Sequence, residues 1–294
     1  MPSLRPLSPG FLLVFLLVFL LSLPASAVEG MFPVGDLDRV DLAAAGLAIT
    51  ADDVFPATGS GLADAICKVN GCTGSFVSPD GLILTNHHCA FRAIQEAGDP
   101  GRDLLHEGFV ARDRGEEVRA PGYTVRITEG HRDVSDMVLA AVSADLDPLA
   151  RTRAVERRIK ELELAVERER PGVRAEVAEM FRGRTYVLFT YTELEDVRLV
   201  YAPPRDVAAF GGEEDNWTWP RHGGDFAFMR AYTAPDGGSA PYAPGNVPYR
   251  PRRHLRVSEA GVVAGDAVLA LGYPGRTHRH RSAAFLRHEV ATRL

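Results

Sequence analysis

The sequence predicts a mainly β fold, a barrel-like sheet interrupted by a helical insertion. Three observations carry this. A tight hairpin lies early in the chain, one long helix stands in its middle, and further strands follow without βαβ alternation. In the hairpin, Gly74 to Val77 is one strand and Leu82 to Thr85 the returning one. Ser78-Pro79-Asp80-Gly81 joins them, with Pro to fix φ and Gly to accept a positive φ. Ahead of it, Leu42 to Leu47 reads as a weak helix. Behind it, Ala90 to Gln95 reads as one or two helical turns, capped by Thr85 or Asn86 and ended by Gly98. Asp103 to Arg112 is a further short helix, and Tyr123 to Ile127 alternates like a strand.

The long helix starts at Asp147-Pro148, an N-cap followed by Pro at the first helical position. Val155, Ile159, Leu162 and Val166 recur at helical spacing, with Arg and Glu on the other faces. Pro171-Gly172 ends it, and Val173 to Met180 reads as a second helix, so the insertion spans about 147–182. Strands follow at Thr185 to Tyr191, Val197 to Tyr201, Phe226 to Tyr232 and Ala267 to Leu271, with a loop over Thr233 to Pro251.

The N-terminus carries Arg5, an apolar run from Phe11 to Leu23 and then Ala25-Ser26-Ala27, the three regions of a signal peptide ending at residue 27. The expectation is an exported chain, periplasmic or secreted, with no stable membrane span after cleavage. A net charge of -6 gives no electrostatic reason to expect nucleic acid as a partner. Export favours disulfides, and the three cysteines are Cys67, Cys72 and Cys89. Cys72 and Cys89 flank the open ends of the hairpin, and Cys67–Cys72 is the competing pair.

Thr85-Asn86-His87-His88-Cys89 resembles the signature of chymotrypsin-like serine peptidases, in which the His before the Cys is the general base. With Glu29-Gly30-Met31-Phe32-Pro33 ahead of it, the string is similar to the bacterial dipeptidyl-peptidase 7 and 11 family. Asp215-Asn216-Trp217-Thr218-Trp219-Pro220-Arg221-His222 with Gly224-Asp225-Phe226, and Leu271-Gly272-Tyr273-Pro274-Gly275-Arg276-Thr277, are further matches. The resemblance implies a chymotrypsin-like double β-barrel peptidase fold. Only the first barrel (28–281) and the start of a helical domain (282–294) are expected here.

It also implies roles. His88 is the base and Asp225 the carboxylate that orients it, with Gly223 and Gly224 turning the backbone so that the two meet. Asn216 and Trp217 hold the free α-amino group of a peptide, a sensible use of an amide oxygen and an aromatic face. Cys72–Cys89 is the implied disulfide, leaving Cys67 without a partner. No cofactor is implied, and His87, His88 and His222 lack metal-ligand spacing. The LGYPGRT segment is architectural.

The implied reaction is release of dipeptides from free peptide N-termini through a Ser-His-Asp acyl-enzyme, with a homodimer as the full-length form. The serine belongs in a Gly-x-Ser-Gly setting after Asp225. Ser239 lacks the following glycine, and Ser60 precedes His88, against the chymotrypsin order of base, acid, nucleophile. The expectation is therefore an N-terminal portion that is inactive alone. The alternative is a non-catalytic secreted module that binds peptide N-termini. A trypsin-like endopeptidase, lacking the amine clamp, is a third reading.

Overall fold

The computed structural model describes residues 32–56, 59–98, 101–143, 145–180, 183–212, 222–275 and 282–293. The signal-peptide segment and the Asn216-Trp217 pair lie outside them. The chain divides into two units, Met1–Val40 and Asp41–Leu294. In the first, the described part is a single 3-10 turn over Val34–Arg39, closed by an Arg39–Asp36 ion pair.

The second unit is built on one antiparallel sheet. Its strands are β1 (Ile66–Val69), β2 (Cys72–Phe76), β3 (Leu82–Thr85), β4 (Phe109–Val110), β5 (Val118–Arg119), β6 (Val125–Asp133), β7 (Val173–Met180), β8 (Thr185–Leu194), β9 (Asp196–Ala202), β10 (Ala227–Thr233) and β11 (Val247–Pro248). The order is β4-β9-β10-β3-β2-β1-β6-β8-β7, with β11 on β10 and β5 on β9.

The β2–β3 hairpin forms around the Ser78–Gly81 turn. Val77 N–H donates to the Leu82 carbonyl (2.8 Å), and the Ser78 hydroxyl accepts from the N–H groups of Asp80 and Leu82. Gly81 sits at φ +68°, with the Tyr249 carbonyl 2.7 Å from where a Cβ would be, so both conformation and space demand glycine. A second hairpin, β1–β2, precedes it and went unforeseen. Its turn is Asn70-Gly71, with Val69 opposite Cys72 and Asn70 at φ +51°. An Asn-Gly pair between two short strands is a strong two-residue hairpin signal.

Among the described residues, eight strands share one apolar interior, to which β4 adds Phe109 and β8 adds Leu194. Cys67 and Val69, Phe76, Ile83, Val125 and Ile127, Val197 and Leu199, and Met229 all point into it, joined by Ala90, Ala93 and Ile94 of the helix His87–Ala97. A second, smaller core lies under the long helix Pro148–Glu169, where Leu162 meets Val138, Val177 and Leu188. Val155, Ile159 and Val166 pack against the same cluster, as their spacing foretold. Asp147 caps this helix, accepting from Leu149 and Ala150 N–H groups at 2.9 Å.

Several sequence expectations fail, among them a loop over Thr233 to Pro251 that in fact includes β11. Val173–Met180 is strand β7, not a helix, so the helical insertion is shorter than 147–182. Its Val173, Ala175 and Val177 alternate with Arg174 and Glu176, and the whole segment pairs with β8. Leu42 to Leu47 is a turn rather than a helix, too short to repay the cost of nucleation. Ala267 to Leu271 forms no strand, and Val268 is 74% exposed. Val257, Val262 and Val263 are similarly open. The Asp103 to Arg112 segment is split, with a one-turn helix at Leu104–Glu107 followed by β4. The architectural reading of the LGYPGRT segment agrees with its contacts. Tyr273 N–H donates to the Thr73 hydroxyl (2.8 Å), and its phenol bonds the Thr128 hydroxyl (2.7 Å). The helix expected near Ser282 is present as Ala283–Arg293.

Candidate active site

The register of β3 and β10 creates the site. Thr85 lies opposite Ala227 in this antiparallel pair. The chain leaving β3 forward and the chain entering β10 from behind therefore cross the same edge of the sheet. His88 stands three residues beyond Thr85 and Asp225 two residues before Ala227, so they meet. Asp225 is presented by a tight bend in which Phe226 N–H donates to the Gly224 carbonyl and Gly224 N–H to the Val207 carbonyl, both at 2.8 Å.

The Asp225 carboxylate makes three contacts. Its Oδ2 is 2.7 Å from His88 Nδ1 and accepts from the Asn86 side-chain amide at 3.1 Å. Its Oδ1 accepts from the His88 backbone N–H at 3.0 Å. The last bond makes Asp225 the cap of the His87–Ala97 helix, delivered from a distant segment. Asn86 occupies the N-cap position, yet its side chain makes no cap bond and turns instead to the Asp225 carboxylate and carbonyl. Burial pushes the Asp225 carboxyl up, but the hydrogen bonds from His88 and Asn86 outweigh it and hold it below its ordinary value. A helix N-terminus adds to the preference for the ionised form.

The carboxylate is mostly covered (18% exposed), whereas His88 is open (69%). With Nδ1 engaged by Asp225, Nε2 is the nitrogen left to work on an incoming group. Among the described residues its neighbour is Cys89 Sγ, at 3.4 Å. His87 goes the other way, into the interior, and burial lowers its pKa. Its Nε2 is enclosed without a hydrogen-bond partner.

Two further residues fix the helix turn that carries His88. A disulfide joins Cys89 to Cys72 at the start of β2, with Cα atoms 6.2 Å apart. Cys67 is free and buried, and burial raises its thiol pKa. The Tyr123 hydroxyl donates to the Cys89 carbonyl (2.9 Å) and accepts from the Ala93 N–H (3.3 Å). It thus bridges the very pair that a regular helix joins i to i−4. Neither Asn86 as a ligand of Asp225 nor Tyr123 was foreseen. Asn86 stood within the recognised string, but no local pattern marks Tyr123.

The sulfurs of Cys72 and Cys89 with His88 form a compact grouping of metal-ligand type, but in this form the two sulfurs are bonded to each other. As it stands, an imidazole with one nitrogen locked by a carboxylate and the other open is chemically able to take up a proton from an incoming group.

Known proteins resemble this chain in sequence and fold. Residues 27–294 match the family described as Peptidase S46. A dipeptidyl-peptidase 7 from Capnocytophaga gingivalis is 37% identical over 286 residues, covering 95% of this chain and 40% of its own length. An Asp/Glu-specific dipeptidyl-peptidase from Porphyromonas endodontalis is 37% identical over 284 residues, covering 93% of this chain and 39% of its own. The crystal structure of Porphyromonas endodontalis DPP11 in complex with the dipeptide Arg-Asp superposes with a TM-score of 0.72 at 36% identity, over 79% of this chain and 34% of that one. The chain thus spans about 40% of the length of these relatives. On this match the chain belongs to the peptidase S46 family.

Proposed function

We propose that this chain supplies the general base and the orienting acid of a serine dipeptidyl peptidase that removes dipeptides from free peptide N-termini. The observation that carries the reading is the Asp225–His88 pair at 2.7 Å, with Nε2 turned to the open side. In the reaction, His88 Nε2 takes the proton of a serine hydroxyl as the oxygen attacks the scissile carbonyl. Asp225 stabilises the resulting imidazolium, and His88 then returns the proton to the leaving amine. Water, activated by the same nitrogen, releases the dipeptide from the acyl-enzyme.

The serine is proposed to come from the part of the family's length that this chain does not span. No serine is among the ring's partners in the described residues, and Ser60 and Ser239 are exposed loop residues. On this reading residues 28–281 belong to the first of two barrels, and the unpaired Ala267 to Leu271 stretch faces polypeptide from the remainder. Asn216 and Trp217 clamp the substrate's α-ammonium, which sets the count at two residues. The signal-peptide pattern supports a location outside the cytoplasm, and the reading includes a homodimer as the full-length form and no cofactor.

The test compares a free peptide with its N-acetylated form. The polypeptide expressed from its own locus is expected to release dipeptides from the free peptide only, and the isolated 294 residues to release none. Equal cleavage of the acetylated peptide would replace the reading with an endopeptidase. Turnover by the isolated chain that His88→Ala abolishes would place the nucleophile within it.

A further inference from the structure

We propose that reduction of Cys72–Cys89 opens a zinc site formed by Cys72 Sγ, Cys89 Sγ and His88 Nε2. The site captures the one nitrogen left free by Asp225. It stands on geometry alone and does not depend on the peptidase reading.

The two sulfurs and a ring nitrogen of His88 already lie within 4.8 Å of one another. A tetrahedral Zn²⁺ with Zn–N near 2.05 Å and Zn–S near 2.3 Å sets nitrogen and sulfur about 3.5 Å apart and two sulfurs about 3.8 Å apart. The His88 Nε2 to Cys89 Sγ distance is 3.4 Å, so one edge of that tetrahedron is in place. The sulfurs must separate after reduction, and side-chain rotation on backbones 6.2 Å apart accommodates it.

The shell behind the ligands is also built. Asp225 Oδ2 holds His88 Nδ1 at 2.7 Å, the carboxylate–histidine arrangement that fixes the tautomer of a zinc-bound imidazole. The Cys89 carbonyl is anchored by Tyr123 and Cys72 by the sheet. His88 is exposed, which gives the ion an entry path, and the fourth position stays open to water. Cys67 is buried in the main core and is not a competing ligand.

The chemistry balances simply. A trialkylphosphine and water convert the disulfide into two thiols and the phosphine oxide. Zn²⁺ then displaces the two thiol protons. Soft thiolates with an imidazole select zinc over calcium or magnesium.

The purified chain, reduced with a phosphine and desalted without oxygen, is titrated with Zn²⁺ by calorimetry and with Co²⁺ by visible absorption. Circular dichroism tracks the fold. The expected result is one ion per chain, with thiolate-to-cobalt charge transfer and tetrahedral d–d bands, and none while the disulfide is intact. His88→Ala is expected to weaken binding at least ~10-fold and Asp225→Asn by about 10- to 100-fold, with Cys67→Ala unchanged. Failure of the reduced chain to bind, equal binding by the oxidised chain, or affinity indifferent to His88→Ala would each overturn the proposal. Loss of the fold on reduction with binding that ignores His88 counts among the last.

Discussion

Asp225 grips His88 at two points, the ring Nδ1 through Oδ2 and the backbone N–H through Oδ1. One carboxylate therefore sets both the tautomer of His88 and the start of the helix that carries it. Asp225→Asn keeps the shape but gives the ring a competing donor. In the turnover-competent polypeptide we expect kcat to fall about 10⁴-fold, as for an orienting aspartate in a Ser-His-Asp triad, with little change in KM. Equal loss in kcat and in stability, with an unchanged pH profile, would mark a purely structural role.

Tyr123 is the least expected support of the site. Tyr123→Phe removes the hydroxyl that spans the Cys89 carbonyl and the Ala93 N–H. We expect a loss of about 1–3 kcal/mol in urea unfolding, because two covered backbone groups lose their partner. Hydrogen exchange at Ala93 should rise with it. An unchanged midpoint would mean that the helix closes its own i to i−4 bond at no cost.

Acid should destabilise the chain in two stages. His87 is buried with a depressed pKa, so only the unfolded chain gains a proton as pH falls through the ordinary value of 6.5. Stability is present above that value and declines below it until the folded-state pKa is reached. Asp225, also depressed, contributes stability above the ordinary carboxyl value of 3.8 that is lost as pH falls through its lower native value. His87→Phe should abolish the first stage and leave the second. Melting curves between pH 7 and 3 distinguish them, and persistence of the upper stage in His87→Phe would refute the assignment.

Gly74 on β2 is a packing glycine. A Cβ there would lie 2.7 Å from Ile83 Cγ2 and 2.8 Å from Val69 Cγ2. Gly74→Ala should cost about 1–3 kcal/mol by overpacking, measured by thermal or denaturant unfolding. A neutral effect would mean that the β1–β2–β3 core yields.

Local signals in the sequence carried the Ser78–Gly81 turn, the capped helix at Asp147 and most strands. Val173–Met180 is rich in helix-forming residues, yet its period is that of a strand. Val173, Ala175 and Val177 alternate, and β8 supplies the pairing. The Ala267 to Leu271 error is of another kind, since β-propensity in a segment has no effect without a partner strand. The pairing of His88 with Asp225 rested on family resemblance. Its physical cause, the Thr85–Ala227 register, joins residues 142 positions apart and has no local trace. The same holds for Asn86, whose place in the chain marks a cap while its side chain serves Asp225.

The central claim is that His88 acts as the base for a serine, and a fluorophosphonate tests it directly. Its reaction joins the serine oxygen to phosphorus, expels fluoride and needs the serine proton removed. The locus-encoded polypeptide should be labelled stoichiometrically. His88→Ala, with its fold confirmed by circular dichroism, should slow labelling about 10³-fold or more. Labelling at the unaltered rate in His88→Ala would contradict the account.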